Sequence, residues 1–157
     1  MAEPSEVHIR EVRRTLAWVA LLAALPVAAA AQVEGPRTAS GCIDLSRASS
    51  TFSAEGRLTL RHFAGPPNYE SIARGDADES AFILELAESV CLDDGGDFAD
   101  PAERVRFVQV AANAEAVRRR LRAAVGRRVL VSGEAFAAHT GHHHAPLVLF
   151  ADRVRVR

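Results

Sequence analysis

Alternation of apolar and polar positions governs most of the chain beyond residue 55. In Glu55–Phe63 (EGRLTLRHF), Leu58 and Leu60 alternate with Arg57, Thr59 and Arg61, the period-two pattern of a strand with one buried face. Ser80–Ala87 (SAFILELA) puts Phe82, Leu84 and Leu86 on one face, and Arg104–Ala111 (RVRFVQVA) supplies a third strand. The period then becomes helical. Val117, Leu121, Ala124 and Val125 form an apolar stripe, Asn113 is the expected N-cap, Gly126 the stop, and Glu115 stands one turn from Arg119. Arg127–Phe136 and Leu147–Arg157 return to strand periodicity. This order predicts a mainly β fold: a small five-stranded OB-like Greek-key barrel with one helix between strands 3 and 4, where OB-type barrels carry it. Gly56 and Gly133 fall inside the first and fourth strands, where a tightly coiled barrel needs them. An α+β sandwich is the alternative.

The first residues follow no such pattern. Arg13 and Arg14 precede the apolar run Thr15–Val27, and Ala29-Ala30-Ala31 offers small residues before Gln32, the layout of a cleaved secretory leader. The expected organisation is a signal peptide over 1–31, a loosely ordered N-terminal arm over 32–54, and the OB-like barrel over 55–157. The product would be periplasmic or secreted and would not span a membrane after cleavage. In an oxidising compartment the two cysteines, Cys42 and Cys91, read as one disulfide; a redox-active pair would want CxxC-type spacing.

Charge narrows the partners. The net charge is −1, without the basic excess of a nucleic-acid binder, so nucleic acid is not an expected partner. All 19 basic residues are arginine, which excludes a Schiff-base lysine. The arginines at 118–120 and 122 fit a solvated helix face better than a polyanion patch.

Candidate chemistry concentrates in two loops that flank the ligand face of an OB barrel. Ala64–Glu79 holds Gly65-Pro66-Pro67-Asn68-Tyr69-Glu70 and Arg74-Gly75-Asp76; Asn68, Tyr69, Glu70 and Asp76 are its candidate ligand-binding residues. Ala137–Pro146 holds four of the six histidines, at 139 and 142–144. In an extended segment His142 and His144 point one way and His143 the other, while a Thr140-Gly141 turn would fold His139 back toward them. Three imidazoles with an open position suit Zn or Cu, which makes His139, His142 and His144 the candidate metal ligands. The competing reading has the histidines hydrogen-bonding to Asp76, Tyr69 and backbone carbonyls, locking the loops together. His62, on strand one, is expected to pack rather than ligate.

FAGPPNYESIARGD, Cys91, the pair Val108-Gln109 and GRRVLVSGEAFAAHTGHHHAPLVL together resemble a secreted bacterial family, domain of unknown function 4431, over roughly Glu55 to Leu149. The resemblance implies a single small envelope domain and no particular activity. Three functions remain open: a non-catalytic OB-type binding module with its site between the 64–79 and 137–146 loops; a Zn or Cu binding protein or metal-dependent hydrolase using the histidines; and a structural or accessory envelope protein. The partner is accordingly an unidentified small ligand or an envelope protein.

Overall fold

The computed structural model describes residues 32–47 and 51–157; the expected leader at 1–31 lies outside the described residues. Five long strands close a barrel. They are β3 (Thr51–Ala64), β4 (Asp78–Val90), β6 (Val105–Ala111), β7 (Arg128–Ala137) and β8 (Leu147–Val156), with α1 (Glu115–Ala124) between β6 and β7. Neighbours run β3-β4-β6-β8-β7, and β7 returns to β3. Within the barrel every pairing of these five strands is antiparallel except β6 with β8. This is the OB-like order, with the helix where the sequence puts it. Among the described residues no helix is long and apolar enough to cross a membrane.

Strand β3 serves two partners in turn. Its first half pairs with β7 from Thr51 to Arg57 and its second half with β4 from Arg57 to Ala64. Phe52, Ala54 and Leu58 point into the core, meeting Leu84 and Leu86 of β4, Val129 and Val131 of β7, and Leu149 of β8. Leu60 was expected beside Leu58 but is 42% exposed: the β7 pairing has ended at Arg57, so the inner face of β3 has left the barrel. At Gly56, a Cβ would collide with the Glu85 carbonyl, so the close crossing of β3 over β4 requires glycine there.

Helix α1 buries Val117, Leu121 and Ala124 against the core, while Val125 lies outside the stripe and is exposed. Asn113 is not its cap. Ala114 occupies that position without a side-chain cap, and Arg118 Nη1 donates to the carbonyls of Ala112 and Asn113 just before the helix. Gly126 ends the helix turn with φ +83°, as a stop glycine should.

The 32–54 arm departs most from expectation. It is packed, not loose, where it is described. β1 (Val33–Glu34) pairs antiparallel with Ser53 and Ala54, and β2 (Ile43–Asp44) pairs parallel with β5 (Leu92–Asp93). Val33 and Ile43 are core residues, and Cys42 is bonded to Cys91 beside the β2–β5 ladder. Short runs of two residues carry no readable period, so their burial comes from the barrel they pack against. The disulfide closes a loop of 49 residues, a constraint of about 4 kcal/mol in the chain-entropy account.

Candidate functional site

The β3–β4 loop is built around Asp76, which is 6% exposed. One carboxylate oxygen accepts from the backbone N–H of Asn68 (3.0 Å) and from its side-chain amide (3.1 Å). The other accepts from the N–H groups of Glu70 (2.8 Å) and Ser71 (2.7 Å). The bonds from Ser71 and Glu70, then those from Asn68, hold the Asp76 carboxyl below the usual carboxylate range against the opposing effect of burial. Glu70 pairs with Arg74 at 3.0 Å. Asn68, Glu70 and Asp76 therefore serve the loop's own frame; among the described residues none of them bonds to a histidine. Tyr69 does. The bracketing of its neighbours by Asp76 holds Tyr69 at φ +59°, a left-handed conformation uncommon for a non-glycine residue. Tyr69 as a whole is 40% exposed, its ring lying against Gly141 of the histidine loop.

The β7–β8 loop is a turn, not an extended segment. His143 N–H donates to the Thr140 carbonyl at 3.0 Å, and the loop is tied at its base by Ala138 N–H to Pro146 O at 2.9 Å. The turn sorts the histidines into two pairs. His142 and His144 face the β3–β4 hairpin, as alternation had grouped them, though a turn is the cause. His139 goes the other way with His143, their rings 4.8 Å apart, both against Phe136. The His139 Nδ1–H donates to the Ala137 carbonyl at 3.0 Å, which keeps that ring beside the end of β7. The expected metal set His139, His142, His144 is thus not brought together. Among the described residues no three His, Cys, Asp or Glu side chains are grouped to hold a metal ion.

The residue that joins the two loops is Glu79. Its carboxylate bridges His142 Nδ1 (2.7 Å) and His144 Nε2 (3.1 Å). A carboxylate only accepts, so both ring nitrogens carry protons. With Nδ1–H committed to Glu79, neutral His142 presents a bare Nε2, and the Tyr69 hydroxyl donates to it at 3.3 Å. The result is one continuous network, Tyr69–His142–Glu79–His144. It is anchored at its inner end. His144, its side chain 9% exposed, stacks on Phe63 with ring centroids 4.2 Å apart and planes within 2°. Gln109 of β6 clamps the loop from below, donating to the His142 carbonyl at 3.2 Å and accepting from the His144 N–H at 2.5 Å. Ala145, Ala81 and Ile83 form a second small core here with Phe63 and Phe107. The loop therefore covers part of the barrel's outer wall. At its outer end the network opens to solvent through Tyr69 and the 60% exposed side chain of His142.

Glu79 and Gln109 escaped sequence reasoning as site residues. Each carries a faint signal. Gln109 is the polar outward position between Val108 and Val110, and Glu79 is the last charged residue before the apolar run Ala81–Leu84. The partnership of Glu79 depends on its register opposite Phe63, which local pattern does not disclose. His62, expected to pack, is exposed and pairs with Asp78 at 2.8 Å.

His143 makes the site acid-sensitive. Its Nδ1 accepts the His139 N–H at 3.0 Å, a bond that requires the nitrogen to be unprotonated. Burial first, then the neighbouring His139, His142 and His144, lowers its pKa from the ordinary histidine value. The unfolded chain, titrating near pH 6.5, takes up a proton before the folded state does, so this contribution to stability is full above about pH 6.5 and is lost as pH falls toward the lower folded pKa. Melting temperatures measured from pH 7.5 down to 5 should fall less steeply in His143→Gln than in the parent; equal slopes would discount His143.

Comparison with known proteins bears on the wall and the histidine loop. Residues 107–155 match the model of a family described as Domain of unknown function (DUF4431). That is the family the sequence resembles. The match takes in most of β6, α1, β7 and most of β8, with Gln109 and all four loop histidines. It stops short of the β3–β4 loop, so Tyr69 and Glu79 lie outside the part similar to DUF4431. Its description assigns no activity. No curated protein and no solved structure matches the chain.

Proposed function

We propose that the protein is a non-catalytic binding module of the cell envelope that holds a neutral, hydroxyl-bearing ligand of the oligosaccharide class at the Tyr69–His142 edge. The observation that carries this reading is Tyr69 itself. A non-glycine residue at φ +59° costs about 1 kcal/mol or more, and here Asp76 maintains it to present an exposed tyrosine beside a hydrogen-bonding imidazole. The two loops that meet there are the ones with which OB-type barrels take oligosaccharides and oligonucleotides, and the charge of −1 disfavours the polyanionic choice. A disulfide and a leader-like N-terminal sequence support export to the periplasm or beyond. Metal-dependent hydrolysis finds no support in a loop whose histidines divide into two pairs.

Amide NMR spectra of the protein titrated with chitotriose and with maltotriose test the proposal. Shifts confined to Asn68, Tyr69 and residues 139–144 are expected, with affinity reduced tenfold or more in Tyr69→Ala and less in Tyr69→Phe. No perturbation at millimolar sugar, or perturbation only elsewhere on the barrel, would overturn it.

A further inference from the structure

A concavity opens away from the two loops, about seven residues back along β3. It is about 380 Å³ in volume and is lined by Arg57, Arg106, Arg128 and Glu85 with Leu86 and Ala87. That volume falls within the ~300–1,000 Å³ of small-molecule pockets. The ladder explains the opening. Pairing of β4 with β6 breaks between Glu85 and Val90, and the N–H groups of Ala87 and Glu88 are taken by the Gln32 side chain instead of a neighbouring strand.

The charges around this opening are not balanced. Arg57 on β3 stands directly opposite Arg128 on β7, a like-charged cross-strand pair of the kind that destabilises a sheet, and on its other side opposite Glu85 on β4. Arg128 Nε bonds to Glu55 at 2.7 Å, and Arg157 takes the other oxygen of that carboxylate at 3.2 Å. Arg106 Nε donates to the Leu86 carbonyl at 3.0 Å, and its guanidinium lies 3.6 Å from Glu85. Arg57 has no salt bridge or side-chain hydrogen bond among the described residues. Three guanidiniums, those of Arg57, Arg106 and Arg128, thus line the opening against the single carboxylate of Glu85. Arg106 and Arg128 are each held by Nε, which leaves terminal N–H groups directed by a fixed anchor, the preorganised fork that suits phosphate oxygens.

We infer that this pocket binds a phosphorylated polyol. The phosphate neutralises the opposed Arg57 and Arg128 with help from Arg106, and Glu85 accepts hydroxyls of the polyol. The same chemistry occurs in a free sugar or glycerol phosphate and in a phosphatidylglycerol headgroup.

Calorimetric titration at constant ionic strength with sn-glycerol 3-phosphate, and cosedimentation with phosphatidylglycerol against phosphatidylcholine vesicles, separate the two sources. Saturable binding of either probe is expected. Arg57→Gln and Arg106→Gln should each weaken it tenfold or more while leaving the melting transition cooperative. Arg119→Gln, a helix-surface control, should leave it unchanged. Binding of the free phosphate assigns a soluble ligand; binding of the vesicles alone assigns the headgroup. Absence of binding to both at millimolar probe, or an equal loss in Arg119→Gln, would overturn the inference.

Discussion

Gly133→Val should leave the chain unable to hold its barrel. A Cβ at Gly133 would collide with the Phe150 carbonyl oxygen and lie 2.8 Å from the carbonyl carbon and 3.1 Å from the Ala151 Cα. All three are backbone atoms of β8, so no side chain can swing aside. Relief would require parting β7 from β8 where their register already shifts, between Ser132 and Gly133. Those two strands close the barrel, one onto β3 and the other onto β6. The expected cost is about 4 kcal/mol or more, comparable to the whole stability of a marginal domain. Gly126→Ala is the informative control: open space surrounds that position but its φ is +83°, so only about 1–2 kcal/mol is at stake. Urea unfolding followed by circular dichroism measures both. A Gly133→Val protein with the parental midpoint would show that β7 and β8 have room between them.

The second large effect is expected from Glu79→Ala. This substitution removes the acceptor of two imidazole N–H groups, one of them on the nearly buried His144. Two lost hydrogen bonds at about 1 kcal/mol each, plus an unsatisfied buried donor, suggest a loss of about 2–4 kcal/mol. The damage should be regional. Amide exchange should quicken across residues 139–145 and at Tyr69, where the network ends, by more than the loss of global stability quickens the amides of β7 and β8. Glu79→Gln retains one acceptor oxygen and should show a smaller loss. Unchanged exchange in the histidine loop of Glu79→Ala would mean that Gln109 and the Phe63 stack hold the loop alone. Sugar binding at Tyr69 should weaken with it, because His142 loses the partner that fixes its tautomer.

Much of the architecture follows from local pattern. Period two in five segments and a helical stripe in one are consequences of which side chains must leave water, so the strand order and the place of the helix are legible from residues 55–157 without any long-range information. The Cys42–Cys91 bond follows from having two cysteines to join. The meeting of the 64–79 and 137–146 loops follows from the barrel order, and the separation of His143 from His142 and His144 follows from short-range geometry, although a turn replaces the expected extended run.

What tertiary structure decided is which groups meet across the ladder. Glu79 becomes the hub only because β3 and β4 pair with Phe63 opposite Glu79, and because the histidine loop, more than 60 residues further on, folds over that pair. Asp76 points into its own loop, not at the histidines, because four donors from Asn68, Glu70 and Ser71 converge there. Val33 and Ile43 look like arm residues until the barrel offers them a surface. Arg57 and Arg128 are ordinary outward positions on two distant strands until the β3–β7 register sets them face to face. A one-residue change of register would turn Glu79, Arg57 or Arg128 to the other face of the sheet. Composition and periodicity determine the strands, but register is chosen by the packing of the finished core, and both sites depend on it.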